Sequence, residues 1–84
     1  MYGDADNDSL AGGDDDDTIS GGDDNDKLTG GAGADLEYGG AGLDHIYGQD
    51  GDDELQGGEG NDSLSGNAGH DNEYGEPGAD KIVL

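Results

Sequence analysis

Aspartate recurs at every ninth position of the sequence, and carboxylates at a fixed interval could bind cations. The series runs without a gap through Asp8, Asp17, Asp26, Asp35, Asp44, Asp53, Asp62, Asp71 and Asp80. Carboxylate oxygens are the ligands that hard cations such as Ca²⁺ prefer. The sequence has no cysteine, so disulfides and thiolate zinc sites are excluded. The chemistry that these residues indicate is binding of a hard divalent cation.

A glycine stands five residues before each of these aspartates. These glycines are Gly3, Gly12, Gly21, Gly30, Gly39, Gly48, Gly57, Gly66 and Gly75. Nine units of nine residues therefore span residues 3–83, within a single domain of residues 1–84. Numbered from its glycine, the unit reads G-G-x-G-x-D-x-U-x, where U at position 8 is a large aliphatic residue in seven units.

The two halves of the unit predict a turn followed by a short strand. Positions 1 to 6 are rich in Gly, Asp and Asn, which form turns, and positions 7 to 9 place one aliphatic residue between two mostly polar ones. A single strand of this kind cannot bury its apolar side, but two successive units make one coil with two strands back to back. We therefore predict an all-β fold, a parallel β-roll (β-solenoid) of three-residue strands with two nine-residue units per coil.

In this geometry, position 8 faces inward, and successive units alternate between two sheets. The predicted inward residues are Leu10, Leu28, Ile46, Leu64 and Ile82 in one sheet and Ile19, Glu37, Leu55 and Glu73 in the other. Glu37 and Glu73 depart from the aliphatic pattern. Tolerance in a thin, partly wet core explains them, and an ion- or pH-sensitive weak point and engineering stay open as alternatives.

The same stacking brings each aspartate next to the one two units away, for example Asp8 next to Asp26 and Asp17 next to Asp35. Two columns of carboxylates result, and without a cation between them they would repel one another. The spacing that organises the strands therefore also creates the predicted binding sites.

Composition supports a role for the cation in stability and excludes several partners. The chain has 23 acidic and 2 basic residues, a net charge of −21, only 27% hydrophobic residues and 20 glycines. Apolar burial alone cannot balance the entropy lost on ordering such a chain. The acidity argues against nucleic acid and anionic lipid as partners. No apolar run approaches the length of a transmembrane segment, so we predict no membrane insertion, and the N-terminus lacks the pattern of a signal peptide.

The nonapeptide resembles the repeat of the repeats-in-toxin (RTX) family, also called hemolysin-type calcium-binding repeats, over residues 3–83. The resemblance implies a right-handed parallel β-roll with Ca²⁺ bound between stacked turns. It also implies the ligands: the carbonyls of positions 2 and 4 and the Asp of one turn, with the carbonyls of positions 1 and 3 and the Asp of the turn two units later. About seven complete sites are expected on this basis.

The resemblance assigns metal ligation to two sets of residues besides the nine aspartates. The carbonyls of positions 2 and 4 belong to Asp4, Asp6, Gly13, Asp15, Gly22, Asp24, Gly31, Gly33, Gly40, Gly42, Gln49, Gly51, Gly58 and Gly60. The carbonyls of positions 1 and 3 belong to Gly21, Asp23, Gly30, Ala32, Gly39, Ala41, Gly48, Asp50, Gly57, Glu59, Gly66, Ala68, Gly75 and Pro77.

Three units depart from the family pattern at position 4, where Asp6, Asp15 and Asp24 replace glycine. Because aspartate tolerates left-handed backbone geometry better than most residues, we expect these turns to survive in altered form. No residues indicate an EF-hand or a catalytic site, so we predict that the chain is not an enzyme.

The resemblance implies a function in secreted proteins. We expect a module that folds on binding Ca²⁺ and serves a protein exported by type I secretion to the extracellular space. Two other classes stay open: a carbohydrate- or ice-binding β-roll and a designed calcium-responsive scaffold. We expect a fragment of a longer protein or a designed chain, and uncapped terminal coils leave end-to-end self-association as an open alternative.

Overall fold

The computed structural model describes residues 2–3 and 5–75 and the backbone of residues 81–83. Three of the predicted metal ligands, Asp4, Pro77 and Asp80, lie outside the described residues, as does the side chain of Ile82. The secondary structure of the described part consists of strands and turns, without a helix. Accordingly, that part contains no helix long and apolar enough to cross a membrane.

The described strands follow the nine-residue period. They are β1 (Ser9–Gly13), β2 (Thr18–Gly22), β3 (Lys27–Gly31), β4 (Leu36–Gly40), β5 (His45–Gln49), β6 (Glu54–Gln56), β7 (Ser63–Ser65), β8 (Asn72–Tyr74) and β9 (Lys81–Val83). Odd-numbered strands form one parallel sheet in the order β1-β3-β5-β7-β9, and even-numbered strands form the other in the order β2-β4-β6-β8.

The register of both sheets is two repeat units, so each coil lies directly over the next. Leu10 pairs with Leu28 and Leu28 with Ile46 in the odd sheet, and the even sheet follows the same rule. A one-residue slip would turn every inward side chain outward, so the inward residue at position 8 fixes this register. The predicted β-solenoid with two units per coil is confirmed, with about four turns.

Strand length differs from the prediction in the first half of the chain. We predicted three-residue strands, but β1 to β5 each contain five residues. The added residues are positions 1 and 2 of the following unit, which pair across the sheet as Gly13 with Gly31 and Gly22 with Gly40. Since most of these residues lack a side chain, the parallel ladder continues into the turn.

The core is a single column of aliphatic side chains between the two sheets. Ile19, Leu28, Ile46, Leu55 and Leu64 are fully buried, and Leu10 packs against them. Glu37 is also fully buried, and in the even sheet it lies between Ile19 and Leu55. Glu73 is partly buried at the corresponding position of β8. For the described side chains, the predicted inward positions are confirmed, with both glutamates included.

Left-handed backbone geometry recurs at positions 2 and 4 of the turns. At position 4 of the first three units, Asp6, Asp15 and Asp24 have φ of 78°, 73° and 72°. Glycines at position 4 of the next units, such as Gly33 and Gly42, have φ of 106° and 108°. The first turns therefore survive with a left-handed position 4, as expected from the tolerance of aspartate for this region, and their φ angles are smaller than those of the later glycines.

Candidate metal centre

One oxygen of each stacked aspartate connects two adjacent coils. The backbone N–H of Asp8 donates to Oδ1 of Asp26 at 2.8 Å, and that of Asp17 donates to Oδ1 of Asp35 at 2.7 Å. The same contact recurs from Asp26 to Asp44 and from Asp35 to Asp53. The two predicted columns are therefore present, each built from aspartates two units apart.

The second oxygen of these aspartates is buried and lacks a hydrogen-bond partner. This is true of Oδ2 in Asp8, Asp17, Asp26, Asp35, Asp44 and Asp53. A buried carboxylate oxygen is costly unless a donor or a cation compensates for its lost hydration. A recurrent orphan oxygen at the same position of successive turns indicates a site for a cation rather than an isolated defect.

Backbone carbonyls approach the same place as these orphan oxygens. A Cβ atom on Gly3 would lie 2.5 Å from Oδ2 of Asp8 and 2.6 Å from the carbonyl oxygen of Gly21. A Cβ on Gly39 would lie 2.6 Å from both Oδ2 of Asp44 and the carbonyl oxygen of Gly57. Turns starting at Gly12 and Gly21 repeat this arrangement. The glycine at position 1 therefore leaves room for a carboxylate and a carbonyl from two adjacent coils to converge.

The carbonyls of position 2 are engaged between coils. Those of Gly13, Gly22 and Gly31 accept hydrogen bonds of 3.0 to 3.1 Å from the N–H groups of Ala32, Ala41 and Asp50. Each carbonyl oxygen has a second lone pair, so it could still contribute to a cation. Apart from Gly75, whose turn lies mostly outside the described residues, the predicted oxygen ligands that the structure describes all lie in these stacked turns.

Side chains alone do not complete a site. Within the described residues, no three His, Cys, Asp or Glu side chains converge in a way that could hold a metal ion. Ca²⁺ takes six to eight oxygen ligands and readily uses backbone carbonyls. The donor set at these turns, two stacked aspartates with several carbonyls, therefore fits calcium only if the backbone supplies most of the ligands.

Comparison with known families agrees with this geometry. The family described as RTX calcium-binding nonapeptide repeat (4 copies) matches residues 2–37, 38–73 and 47–82. The chain belongs to this family. No curated protein and no solved structure matches the chain. The RTX family is one of calcium-binding repeats, so the stacked turns are the candidate metal centres of an RTX β-roll module.

Electrostatics in the RTX turns disfavour free carboxylates. Burial, together with the charges of the neighbouring Asp62 and Asp26, raises the pKa of Asp44 to about 7. Burial likewise raises the pKa of Asp53 to about 6 and moves the pKa values of Asp26 and Asp35 upward. Backbone hydrogen bonds to Oδ1 oppose the increase but do not cancel it. Negatively charged carboxylates therefore lie close together in each column, and protonation or a bound divalent cation would reduce their repulsion.

A further set of contacts at position 5 was not predicted from the sequence. Oδ1 of Asn7 accepts the N–H of Asn25, and Oδ1 of Asn25 accepts the N–H of Leu43. Asp16 and Asp52 make equivalent contacts with the next coil, where their Oδ1 atoms accept the N–H groups of Ala34 and His70. The signal was present in the sequence, because Asn or Asp occupies position 5 in more than half of the units. These side chains tie adjacent RTX turns together independently of the proposed ion ligands.

Replacing Asn25 with alanine is expected to weaken the fold by about 0.5–1.5 kcal/mol, the usual contribution of one hydrogen bond. The change removes the acceptor for the N–H of Leu43 at 2.8 Å and leaves the aspartate columns intact. Urea unfolding at saturating calcium measures the effect. Asn72→Ala is the control, because Asn72 is an exposed strand residue. Equal unfolding midpoints for the two variants would show that the position 5 contacts do not stabilise the fold.

Proposed function

We propose that this RTX module folds on binding Ca²⁺ and that the ions act as structural parts of its β-roll. The observation that carries the proposal is the series of buried, unpartnered Oδ2 oxygens. At Asp8, Asp17, Asp26 and Asp44, a backbone carbonyl of an adjacent coil approaches the same place. An ion that binds only the folded chain stabilises it by mass action, so ligation and folding become a single coupled event.

The small core makes this coupling necessary. The described core contains five fully buried aliphatic side chains, in a chain of 84 residues with a net charge of −21. Seven divalent ions would reduce that charge to about −7 and relieve most of the self-repulsion. Chemically, the ion supplies positive charge where the fold concentrates carboxylates and carbonyls. The chain supplies left-handed turns and side-chain-free positions that bring those oxygens together.

We assign the ligands of each site as the family resemblance implies. In a middle site, the carbonyls of Gly31 and Gly33 and the carboxylate of Asp35 face the carbonyls of Gly48 and Asp50 and the carboxylate of Asp53. The hydrogen bond from the N–H of Asp35 to Oδ1 of Asp53 supports this pairing of turns, because it holds the two aspartates in adjacent coils.

Calcium titration of chelator-treated protein tests the proposal. Far-ultraviolet circular dichroism is expected to show a cooperative gain of β-structure with calcium and little change with magnesium at equal ionic strength. Magnesium screens charge equally but requires a tighter, more hydrated octahedron. A chain that stays disordered in millimolar calcium, or one fully β-structured in chelator at neutral pH, would contradict calcium-triggered folding.

Membership of the RTX family also supports a proposal for where the module folds. RTX repeats are typical of secreted proteins, so we propose that the module folds after export into calcium-rich surroundings, by a type I route. In this role it is a non-enzymatic element of a larger protein or a scaffold derived from one.

A tyrosine column favours polysaccharide binding as a second candidate function. On the outer side of the even sheet, Tyr2 pairs with Ser20, Ser20 with Tyr38, Tyr38 with Gln56, and Gln56 with Tyr74. Tyrosines therefore occur at every second coil, roughly 9–10 Å apart. Tyr2 is largely exposed and Tyr74 is half exposed. Two successive rings of an extended β-linked polysaccharide together advance by a similar distance, so every second sugar could stack on a tyrosine.

The charge of this surface favours a neutral polysaccharide. Positions 7 and 9 of β2, β4, β6 and β8 include one acidic residue, Glu54, and no basic residue. An anionic polymer would find no cation there and would meet the acidic turns on both sides.

Tyr38→Ala is expected to reduce retention of the calcium-loaded protein on insoluble cellulose at least severalfold, because it removes the central ring of the column. Tyr47→Ala is the matched control, since Tyr47 lies on the outer side of the odd sheet, where the Nζ of Lys27 is 6.0 Å from its ring centroid. Equal retention of both variants, or no retention of the original chain, would contradict polysaccharide binding by this surface.

A further inference from the structure

Glu37 is a buried carboxylate without a hydrogen-bond partner. Its side chain has no exposed surface, and neither Oε1 nor Oε2 has a hydrogen-bond partner. Its neighbours along the inner side of the even sheet are Ile19 and Leu55, which offer no polar contact. A carboxylate in this position requires a compensating group that the apolar column does not provide.

The Glu37 carboxylate points to the turn that begins at Gly30. A Cβ on Gly30 would lie 2.6 Å from Oδ2 of Asp35 and 2.9 Å from Oε1 of Glu37. Both oxygens therefore approach one place on the inner side of this turn. Each is buried, and neither has a hydrogen-bond partner.

Four other turns have a different oxygen in that place. At Gly3, Gly12, Gly21 and Gly39, the oxygen that accompanies the aspartate is a backbone carbonyl from the next coil. At Gly30, the accompanying oxygen is that of Glu37. This turn therefore has a charged oxygen close to the position where those four turns have a neutral one, and an aliphatic residue at position 8 cannot supply it.

We propose that Glu37 is an additional ligand of the calcium ion between the turns 30–35 and 48–53. The inference rests on the proposed function and adds a negatively charged ligand to one site of the series. The carboxylates of Asp35, Asp53 and Glu37 do not by themselves converge as a side-chain metal site. Backbone carbonyls must therefore complete the six to eight oxygens that Ca²⁺ takes, and Glu37 adds one charged oxygen to them.

Glu73 does not share this arrangement. Its two oxygens also lack partners, but the three atoms closest to a Cβ on Gly66 all belong to Asp71. Glu73 is also only partly buried. The inference therefore concerns Glu37 alone, although both glutamates replace the same aliphatic position.

Cadmium-113 NMR of the folded protein tests the assignment, because Cd²⁺ occupies oxygen sites and each site gives its own resonance. Glu37→Gln is expected to shift or remove one resonance and leave the others in place. Calcium calorimetry of the same variant is expected to show one site weakened at least about tenfold. Glu54→Gln is the matched control, since it removes one charge on the outer side of the same sheet and is expected to leave every resonance unchanged.

Glu37→Leu keeps the test decisive if glutamine disturbs folding, because leucine completes the column of Ile19 and Leu55. Resonances and calcium stoichiometry identical to those of the original chain, in either folded variant, would overturn the inference while leaving the proposed function intact. Failure of the original chain to bind calcium or cadmium at all would instead overturn the proposed function and the inference together.

Discussion

Asp44→Asn is expected to raise the calcium concentration needed for folding by on the order of tenfold or more, where each tenfold equals about 1.4 kcal/mol. Asp44 belongs to two successive proposed sites, because its coil has a neighbour on either side. Its Oδ1 accepts the N–H of Asp26, and its Oδ2 lies beside the carbonyl of Gly57. Asparagine keeps the first contact but replaces Oδ2 with an NH₂ group, which repels a cation.

The same substitution has the opposite expected effect when calcium is absent. Asparagine removes a charge whose pKa burial raises to about 7, and its NH₂ group could donate to the nearby carbonyl. In chelator, the variant is therefore expected to be at least as ordered as the original chain. This reversal distinguishes an ion ligand from a residue that serves only in the hydrogen-bond network.

Asp14→Asn is the matched control for Asp44→Asn. It makes the same chemical change at an exposed position 3 that belongs to no assigned site. Circular dichroism over a calcium series for the three proteins measures the effect. Equal calcium midpoints for Asp44→Asn and Asp14→Asn would contradict the assignment of Asp44 as a ligand.

Acidification without calcium is expected to produce the second large effect, a gain of β-structure between pH 8 and pH 5 in chelator. Burial raises the pKa of Glu37 from 4.5 to about 8, with Asp53 and Asp35 contributing, and the pKa of Asp44 to about 7. A folded state with raised carboxyl pKa values binds more protons than the unfolded chain. Its stability is therefore greatest below the unfolded values and falls as pH rises through the folded ones.

The contribution of Glu37 can be isolated. A pKa increase from 4.5 to about 8 corresponds to on the order of 5 kcal/mol of destabilisation above pH 8, since each unit is worth about 1.4 kcal/mol. Glu37→Leu is expected to make the calcium-free chain more ordered at pH 8 and to flatten its pH dependence. Glu54→Leu gives the same chemical change at an outward position and serves as control. A flat pH profile in the original chain would contradict this explanation.

The sequence predicted the architecture because one nine-residue period sets the turns, the inward residues and the stacking. Asp8 and Asp26 lie in adjacent coils for the same reason that Leu10 and Leu28 do, and both pairs follow from the spacing alone. The inward direction of Glu37 also followed from its place at position 8 of the repeat unit, even though a carboxylate is costly to bury.

The finer organisation of the turns depends on geometry that a linear pattern does not contain. Spacing placed Asp35 near Asp53 but did not reveal that Oδ1 accepts a backbone N–H and leaves Oδ2 unpartnered. Nor did it reveal that the side chain of Glu37 reaches the inner side of the turn at Gly30. The five-residue strands were missed because glycines at positions 1 and 2 are typical of turns, yet here they continue the ladder.

The two-unit register also determines how such a chain can lengthen or shorten during evolution. Because one unit is half a coil, loss of a single unit would transfer every later strand to the opposite sheet. The turns would still stack, but after loss of a unit between Tyr2 and Tyr38, Tyr38 and Tyr74 would no longer share an outer surface with Tyr2. Gain or loss of two units preserves each surface and changes only the length. Cation-binding turns therefore tolerate duplication of single repeats, whereas any function of the outer surfaces requires duplication in pairs.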